Sequence, residues 1–346
     1  QFAQMAQIPM LEPATPAEAY DLVQTAFALS EAVGTPVFLR LTTAVALRHA
    51  VVGIDDPIPP PQTEPVLEKD ITRYTKAGSA ICQAQHRNLI DRFDRARRWI
   101  GEHHPAHLEL VGTPGGVGIL CCGAVNATVD EVLRTVRTGG RAGAVPSLLQ
   151  TQIIVPFPAD EAARLLDHCR TLLVLEELEP VAERELRILA QQRRWDGQIL
   201  GKLDGTLPRI GEYGAAEILN GVQASTGKAS SPADVSEIGV VHDANAIPQP
   251  APRPITVCAG CPHRGTYLAI DAAIHRAGYD RDDIMVTGDI GCTILGMNPP
   301  FELLWNEVSM GSSVSLAQGY AHAGLHPPVI ATIGDSTLFH GGIPGL

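Results

Sequence analysis

The sequence predicts an α/β protein made of open parallel sheets with helices on both faces. Residues 108–214 alternate short aliphatic runs with helical stretches, at the spacing that is typical of a small parallel sheet. Two further strand-like runs, at residues 283–287 and 329–333, each lead into a Gly-Asp pair. A short β-branched run that stops at such a turn is typical of a buried parallel strand.

The two Gly-Asp turns are Gly288 with Asp289 and Gly334 with Asp335. Open α/β sheets bind ligands beyond the carboxyl ends of their strands, where glycine lets the backbone approach a ligand closely. We therefore expect the two turns to build one site for a diphosphate and a metal ion. Taken alone, Gly334-Asp335-Ser336 is equally well explained as a plain strand-end turn, since Asp and Ser are common turn formers.

Composition narrows the class of protein. A chain of 346 residues predicts two or three domains. The net charge of −12 argues against nucleic acid as a partner, because phosphate binding needs a basic face. No apolar run approaches the roughly 20 residues that span a bilayer, and the opening residues lack the pattern of a signal peptide. Seven cysteines, an odd number, favour a reducing cytoplasm, so we expect a cytoplasmic protein without a membrane partner.

Both ends suggest a longer polypeptide. The sequence starts without Met and stops at Leu346, a few residues after a strand that should feed a helix. A parallel sheet needs such a crossover. We therefore expect this chain to be a piece of a longer protein.

The first segment predicts a helix with clear limits. Thr15 and Glu18 form a capping box, Pro16 takes the first helical position, and Gly34 marks the stop. The predicted apolar face of this helix consists of Ala19, Leu22, Val23, Ala26, Phe27 and Val33. A strand is predicted at residues 37–42, and a Pro-rich run at 54–66 predicts an extended connector.

Further along, the pattern predicts strands at residues 117–122, 152–155 and 172–175. Thr128 and Glu131 predict a cap for the helix after the first of these strands, and residues 160–169 predict another helix. The resulting boundaries are 1–52, a linker and helical connector at 53–107, an α/β domain at 108–223, a Pro- and Ser-rich linker at 224–254, and a final domain at 255–346.

Cys258 and Cys261 form a Cys-x-x-Cys motif that leaves several interpretations open. The pair could be redox-active, half of a zinc site or part of an iron–sulfur site, although a metal centre needs about four ligands and no second such motif exists. Alternatively, Cys261, His263 and Arg264 lie at a helix N-terminus, where N–H groups favour an anion. A tight turn without chemistry is the third interpretation.

Other motifs complete the candidate site. Gly311 with Ser312 and Ser313 can open a helix. Mg²⁺ prefers one or two protein oxygens together with phosphate oxygens and water, and Asp335 beside a diphosphate meets that demand.

Taken together, these motifs resemble a known family. Cys-x-Gly-Cys-Pro-His-Arg-Gly from Cys258, Gly-Asp-Ile-Gly-Cys from Gly288, Met310-Gly311, and Gly-Asp-Ser-Thr-x-Phe-His from Gly334 are similar to motifs of indolepyruvate ferredoxin oxidoreductase α subunits. These are thiamine-diphosphate-dependent 2-oxoacid:ferredoxin oxidoreductases. The resemblance extends upstream through residues 40–43, 175–180 and 201–208.

The resemblance implies a thiamine-diphosphate-binding fold and a transketolase-C-terminal-like domain. Residues 1–52 would end the pyrimidine-binding domain, residues 108–223 would form the transketolase-like domain, and residues 255–346 would begin the diphosphate-binding domain. It implies Asp335 as a protein ligand of Mg²⁺. The cofactor-binding residues that it implies are Cys261, Pro262, His263, Gly288, Asp289, Ile290, Gly291, Cys292, Gly311, Gly334, Asp335, Ser336 and Thr337.

The same resemblance implies oxidative decarboxylation of indolepyruvate or another aryl pyruvate to aryl-acetyl-CoA. Electrons would pass through [4Fe-4S] clusters to ferredoxin, and coenzyme A would take the acyl group. A β subunit would complete a hetero-oligomer. Three family features lie outside this sequence: a second Mg²⁺ ligand (an Asn), the glutamate that activates the cofactor, and the Cys-rich cluster segment. We therefore expect the piece alone to be inactive.

Two rival functions remain open. One is a non-redox thiamine-diphosphate decarboxylase or synthase, which shares the Gly-Asp turn; the Cys-Pro-His-Arg segment speaks against it. The other is a non-catalytic piece that binds a partner and no diphosphate.

Several conspicuous residues receive structural interpretations. Cys121 and Cys122 lie on a predicted strand and are expected in the core. The histidines around Pro105 predict a solvated turn. Glu176, Glu177 and Glu179 predict a charge cluster at a helix N-terminus or a domain interface.

Overall fold

A computed structural model describes residues 1–56, 69–138, 145–227, 255–325 and 327–346. The proline-rich part of the first predicted connector, at 57–66, and residues 228–254 of the second lie outside these ranges. The chain divides into two compact units, Gln1–Ala246 and Ile247–Leu346, and each is described by itself.

The first unit opens with helices and two short strands. The helices are α1 (Phe2–Ala6), α2 (Pro16–Val33), α3 (Thr43–Ala46), α4 (Ile71–Tyr74) and α5 (Ser79–His103), and the strands are β1 (Met10–Leu11) and β2 (Phe38–Leu39). Strand β1 pairs in parallel with β2. The predicted strand at 37–42 is therefore only two residues long.

Helix α2 begins and ends where the sequence predicts. The Glu18 amide donates to Thr15 Oγ1 over 3.2 Å, and Gly34 ends the helix at φ 69°. In a capping box, the Glu18 carboxylate would accept from the amide of the cap residue, Thr15. Here it accepts from the amide of the preceding residue, Ala14, over 2.8 Å. Part of the predicted apolar face is wrong, because Val23 and Phe27 are 41% and 70% exposed.

The centre of the first unit is a five-stranded sheet. Its strands are β3 (His107–Glu109), β4 (Gly116–Cys122), β5 (Ser147–Thr151), β7 (Cys169–Leu175) and β8 (Gln198–Leu200), in the order β3-β5-β4-β7-β8. Four of these strands run parallel, whereas the edge strand β3 runs antiparallel to β5. The predicted parallel sheet is confirmed except at this edge.

Helices cover both faces of this sheet, as predicted. They are α6 (Asn126–Thr138), α7 (Ala159–His168), α8 (Val181–Gln192) and α9 (Ala215–Thr226). On β4, Ile119 and Cys121 pack with α6 and α9, whereas Leu120 and Cys122 pack with α7 and α8. This alternation follows from the two-residue period of a strand and gives the sheet a core on each side. The expectation that Cys121 and Cys122 belong to the core is confirmed.

Two sequence predictions in this domain are wrong in detail. The sheet strand between α6 and α7 is β5, not residues 152–155; the chain turns after Thr151, and β6 (Ile153–Val155) pairs antiparallel with β1 in a second sheet. The apolar run at 152–155 does form a strand, but this strand pairs with β1 and not with the five-stranded sheet. Helix α6 starts at Asn126 rather than after a cap at Thr128, because a 3₁₀ turn, Gly123–Val125, leads directly into it.

The second unit is built on two parallel strands and two main helices. These elements are α10 (Pro262–Arg276), β9 (Met285–Thr287), α11 (Ser312–His322) and β10 (Val329–Ala331), followed by a single helical turn, α12 (Asp335–Thr337). Tyr267 of α10 and Val286 of β9 belong to the buried core of this unit, together with Phe301. Strand β10 is half-buried and shorter than the predicted run at 329–333.

None of the described helices combines the length and the apolar character that crossing a bilayer requires.

We predict that Leu120→Ala destabilises the first unit by about 2–5 kcal/mol, because Leu120 is fully buried in the central strand. The measurement is a urea titration in a Trp305→Phe background, which leaves Trp99 and Trp195 as fluorescent reporters in the first unit. Leu110→Ala, at a position that is 40% exposed, is the control and should change stability by less than about 1 kcal/mol. Equal losses for both variants would contradict the assigned core.

Candidate functional site

The second unit brings the two Gly-Asp turns to one edge of its sheet. Strands β9 and β10 are parallel neighbours, with Ala331 opposite Thr287. The pairing continues for one more residue, because the Thr332 amide donates to the Thr287 carbonyl over 2.9 Å. Asp289 and Asp335 therefore both follow the carboxyl ends of adjacent strands, which is where open α/β sheets bind ligands.

The two aspartates have different environments. Asp289 is fully buried, and its carboxylate accepts from the amides of Gly311 at 2.9 Å, Ser313 at 3.1 Å and Ile290 at 2.9 Å. Both of its oxygens are thus bonded to main-chain N–H groups at the start of α11. Asp289 shapes the site by holding the start of this helix.

Asp335, in contrast, is exposed. Its Oδ1 accepts from the Ser336 amide over 2.8 Å, and it is the first residue of α12, just after Gly334. The rest of this carboxylate is open to a cation. Within the described residues, no three His, Cys, Asp or Glu side chains are grouped to hold a metal ion. Asp335 therefore suits a cation that takes most of its oxygen ligands from phosphate and water.

Two glycines in the site are required by close approach. A Cβ on Gly288 would lie 3.0 Å from Leu304 Cδ1 and 3.1 Å from the Asn306 carbonyl oxygen. Gly311 has φ +87°, and a Cβ there would lie 2.7 Å from the carbonyl carbon of Gly341. Their role in this structure is to let segments around the site pack closely.

The segment after Asp289 is an exposed loop. Ile290 is 38% exposed, Gly291 has φ 116°, and Cys292 begins the 3₁₀ turn Cys292–Met297 with an exposed side chain. Thr293 anchors the loop, since its hydroxyl donates to the Asp289 carbonyl over 2.7 Å. These positions are accessible to a ligand.

Cys261 and His263 form a close pair at the start of α10. The Cys261 Sγ lies 3.1 Å from His263 Nδ1, and Pro262 takes the first helical position after Cys261. Cys258 is exposed. The interpretations of the Cys-x-x-Cys motif as a redox pair and as an anion site remain predictions.

A cavity of about 360 Å³ joins α10 to the end of β10. It is lined by Pro262, His263, Thr266, Tyr267, Ile270, Thr293 and residues 330–333. Sequence patterns identified Pro262 and His263 but not Thr266, Thr293 or Thr332. A small hydroxyl residue on a helix or a loop carries no local signal that it faces a cavity.

One member of the acidic cluster in the first unit, Glu176, caps a helix. The Glu176 carboxylate accepts from the amides of Val181, Ala182 and Glu183 at the start of α8, over 2.8–2.9 Å. Burial raises the pKa of Glu176, against the lowering effect of these amides and of Lys202. The predicted charge cluster at a helix N-terminus is confirmed for this residue.

We predict that Asp289→Ala destabilises the second unit by about 3 kcal/mol or more, because three main-chain amides, two of them in buried contacts, would lose their acceptor. Hydrogen exchange of the β9 and β10 amides measures the effect. The matched variant Asp335→Ala removes an exposed side chain and should cost less than about 1 kcal/mol. Comparable losses at the two positions would refute the distinction between a buried structural aspartate and an exposed one.

Comparison with known proteins shows one group of relatives. Indolepyruvate oxidoreductase subunit IorA of Methanothermobacter thermautotrophicus is 33% identical over 345 residues, which cover 100% of this chain and 53% of that protein. The same-named subunit of Archaeoglobus fulgidus is 29% identical over 354 residues, covering 100% of this chain and 52% of that protein. No protein-family model matches the chain.

Solved structures overlap with the chain only in part. A 2-oxoglutarate:ferredoxin oxidoreductase from Magnetococcus marinus covers 44% of this chain and 24% of its own, at 14% identity and a TM-score of 0.32. An inactive tetramer of a split-gene transketolase covers 64% of this chain and 58% of its own, at 11% identity and a TM-score of 0.37. These scores are too low to support a functional argument.

The chain spans about half the length of the curated relatives it matches, and the match runs through all of its own residues. Along its whole length, the chain is therefore similar to about half of the length of the proteins named indolepyruvate oxidoreductase subunit IorA.

Proposed function

We propose that this chain is part of a thiamine-diphosphate-dependent oxidoreductase that oxidatively decarboxylates indolepyruvate or another aryl pyruvate. The observation that carries the proposal is the full-length match to relatives that are named indolepyruvate oxidoreductase subunit IorA. The two Gly-Asp turns at one sheet edge support it, because they give a diphosphate and its metal ion a common place.

The described residues fit such a cofactor in specific ways. Asp335 offers an exposed carboxylate to Mg²⁺, and Gly334, Ser336 and Thr337 form the turn that presents it. Asp289 contributes indirectly, since it holds the N-terminal amides of α11. Ile290, Gly291 and Cys292 are accessible beside it, and Cys261, Pro262 and His263 lie at the start of α10.

Thiamine diphosphate, when bound, supplies the electron sink that decarboxylation of a 2-oxoacid needs. The role of this chain's residues is to bind and orient it. The diphosphate, which carries the negative charge of the cofactor, would lie beyond the carboxyl ends of β9 and β10. Asp335 would pair that charge with a cation, and Gly288 and Gly311 keep the surrounding backbone closely packed.

The remaining functions belong to the rest of the proposed enzyme. We propose that [4Fe-4S] clusters carry electrons to ferredoxin, that coenzyme A accepts the acyl group, and that a β subunit completes a hetero-oligomer. The relatives' name includes the word subunit, which supports assembly with a second chain.

We predict that Asp335→Asn in the complete enzyme reduces Mg²⁺-dependent binding of thiamine diphosphate by at least about 100-fold. The neutral amide is a weaker Mg²⁺ ligand than a carboxylate. Isothermal titration with and without Mg²⁺ measures the change. Asp282→Asn, at an exposed aspartate before β9, is the control and should bind normally. Unchanged affinity in Asp335→Asn would remove Asp335 from the metal site.

We also predict that the complete enzyme reduces a viologen dye with indolepyruvate and coenzyme A, and that omission of thiamine diphosphate abolishes the reaction. Dye absorbance measures the rate. Decarboxylation without dye reduction would favour the non-redox decarboxylase. Failure to bind the diphosphate at all would favour a non-catalytic binding piece.

A further inference from the structure

The strand order of the five-stranded sheet creates a position at which open α/β sheets commonly bind ligands. From β4 the chain moves through α6 to β5 on one side, and then through α7 to β7 on the other side of β4. The strand order therefore reverses between β4 and β7. In open α/β sheets, the crevice beyond the carboxyl ends of two such strands is where ligands bind.

In this structure the crevice holds a side chain of the protein itself. Glu12, which follows β1, is fully buried. Its Oε1 accepts from the Ala124 amide over 3.1 Å, at the turn after β4, and its Oε2 accepts from Arg40 Nη1 over 2.5 Å. Glu176 and Glu177 follow β7 on the other side of the same crevice.

The backbone at this position is adapted to the carboxyl group. Gly123 has φ +59°, and a Cβ there would lie 2.4 Å from Glu12 Oε1. Only glycine both adopts this conformation readily and leaves room for the Glu12 side chain. The turn after β4 thus presents an amide and an open space to one carboxyl oxygen.

We propose that the crevice at the carboxyl ends of β4 and β7 is a carboxyl-binding socket, in which one carboxyl group joins the Ala124 amide of the sheet to the Arg40 guanidinium of the first segment. The chain fills the socket with Glu12. Because Glu12 and Arg40 both belong to residues 1–47, the carboxyl group links that segment to the turn after β4. The ligand class of the socket is a carboxyl group with no bulky substituent. This position on the sheet is consequently used for docking a segment of the chain, and the inference does not depend on the proposed enzymatic reaction.

The charges around Glu12 make the attachment sensitive to protons. Burial raises the pKa of Glu12 to about 7; Arg40 and the Ala124 amide favour its charged form, whereas Glu177 and Glu176 add to the rise. Three further titratable groups lie around this cluster. Lys202 interacts with Glu176 and Glu177, and Glu212 interacts with Glu177. Cys122, at the end of β4, interacts with Glu12 and Glu176. Among the described residues, Arg40 Nη2 and Glu177 Oε2 are buried without a hydrogen-bond partner, so Glu12 is the hydrogen-bonded partner of Arg40 here.

The sign of the pH effect follows from the raised pKa. A detached segment would leave Glu12 with an ordinary pKa near 4.5, so the attached state binds the extra proton between that value and about 7. The attachment therefore weakens as pH rises through this range. Between pH 6 and pH 8 the loss of protection should be about tenfold.

Chemical rescue in the full chain tests the socket. Glu12→Ala removes the carboxyl group, and we expect hydrogen exchange of residues 10–33 at pH 6 to accelerate by about tenfold or more, while β4 and β7 stay protected. Added sodium acetate should restore protection saturably, whereas sodium chloride at equal concentration should not. Rescue should fail in Glu12→Ala combined with Arg40→Gln. The control Glu31→Gln, at an exposed residue of α2, should match the unchanged chain.

Two outcomes would overturn the proposal: normal protection in Glu12→Ala, or equal effects of acetate and chloride. If β4 and β7 also lose protection in Glu12→Ala, the Glu12→Gln variant provides the test. Gln keeps an acceptor for the Ala124 amide but carries no charge. Its protection should then be the same at pH 6 and pH 8, while the unchanged chain loses about tenfold. The same pH dependence in both would refute the socket.

Discussion

Buried carboxylates that bind main-chain N–H groups organise the loops at the strand ends of both units. Desolvating a carboxylate is costly unless hydrogen bonds replace its water, so each buried acid has to collect donors from the nearest backbone. Asp289 collects the amides of Gly311 and Ser313 at the start of α11 together with that of Ile290, and Glu176 collects three amides at the start of α8. In each case a residue just after a strand determines where the next helix begins.

Glu183 extends this arrangement within the first unit. Its buried carboxylate accepts from the Lys202 and Leu203 amides and pairs with Arg187 over 2.7 Å. Lys202 is itself buried and donates to the carbonyls of Glu176 and Leu178. The loop after β7, where Leu178 adopts a left-handed φ of 63°, is therefore held from β8 as well as from α8. The left-handed conformation of Leu178 costs free energy, and the hydrogen bonds that Lys202 donates to this loop help to maintain it.

In the candidate cofactor site, the aspartates of two similar turns have different roles. Both Asp289 and Asp335 follow a glycine at the end of a parallel strand, yet one is buried and the other exposed. The buried Asp289 carboxylate binds the amides at the start of α11 and so holds that helix at the sheet edge. Exposure leaves Asp335 able to meet a cation. A buried structural carboxylate at one strand end and an accessible carboxylate at the neighbouring strand end suit the proposed site for a diphosphate and its metal ion.

Local sequence spacing determined the elements whose signals lie within a few residues of each other. These include the limits of α2, the alternation of strands and helices, the burial of Cys121 and Cys122, and the turns that end β9 and β10. Only the tertiary structure decided that Ser147–Thr151 enters the sheet while Ile153–Val155 pairs with β1, because two adjacent apolar runs look alike to a local pattern. The same holds for Asp289 with Gly311, 22 residues apart, and for Glu12 with Ala124, 112 residues apart. Contacts at such separations depend on how the strands are ordered, which no local spacing encodes.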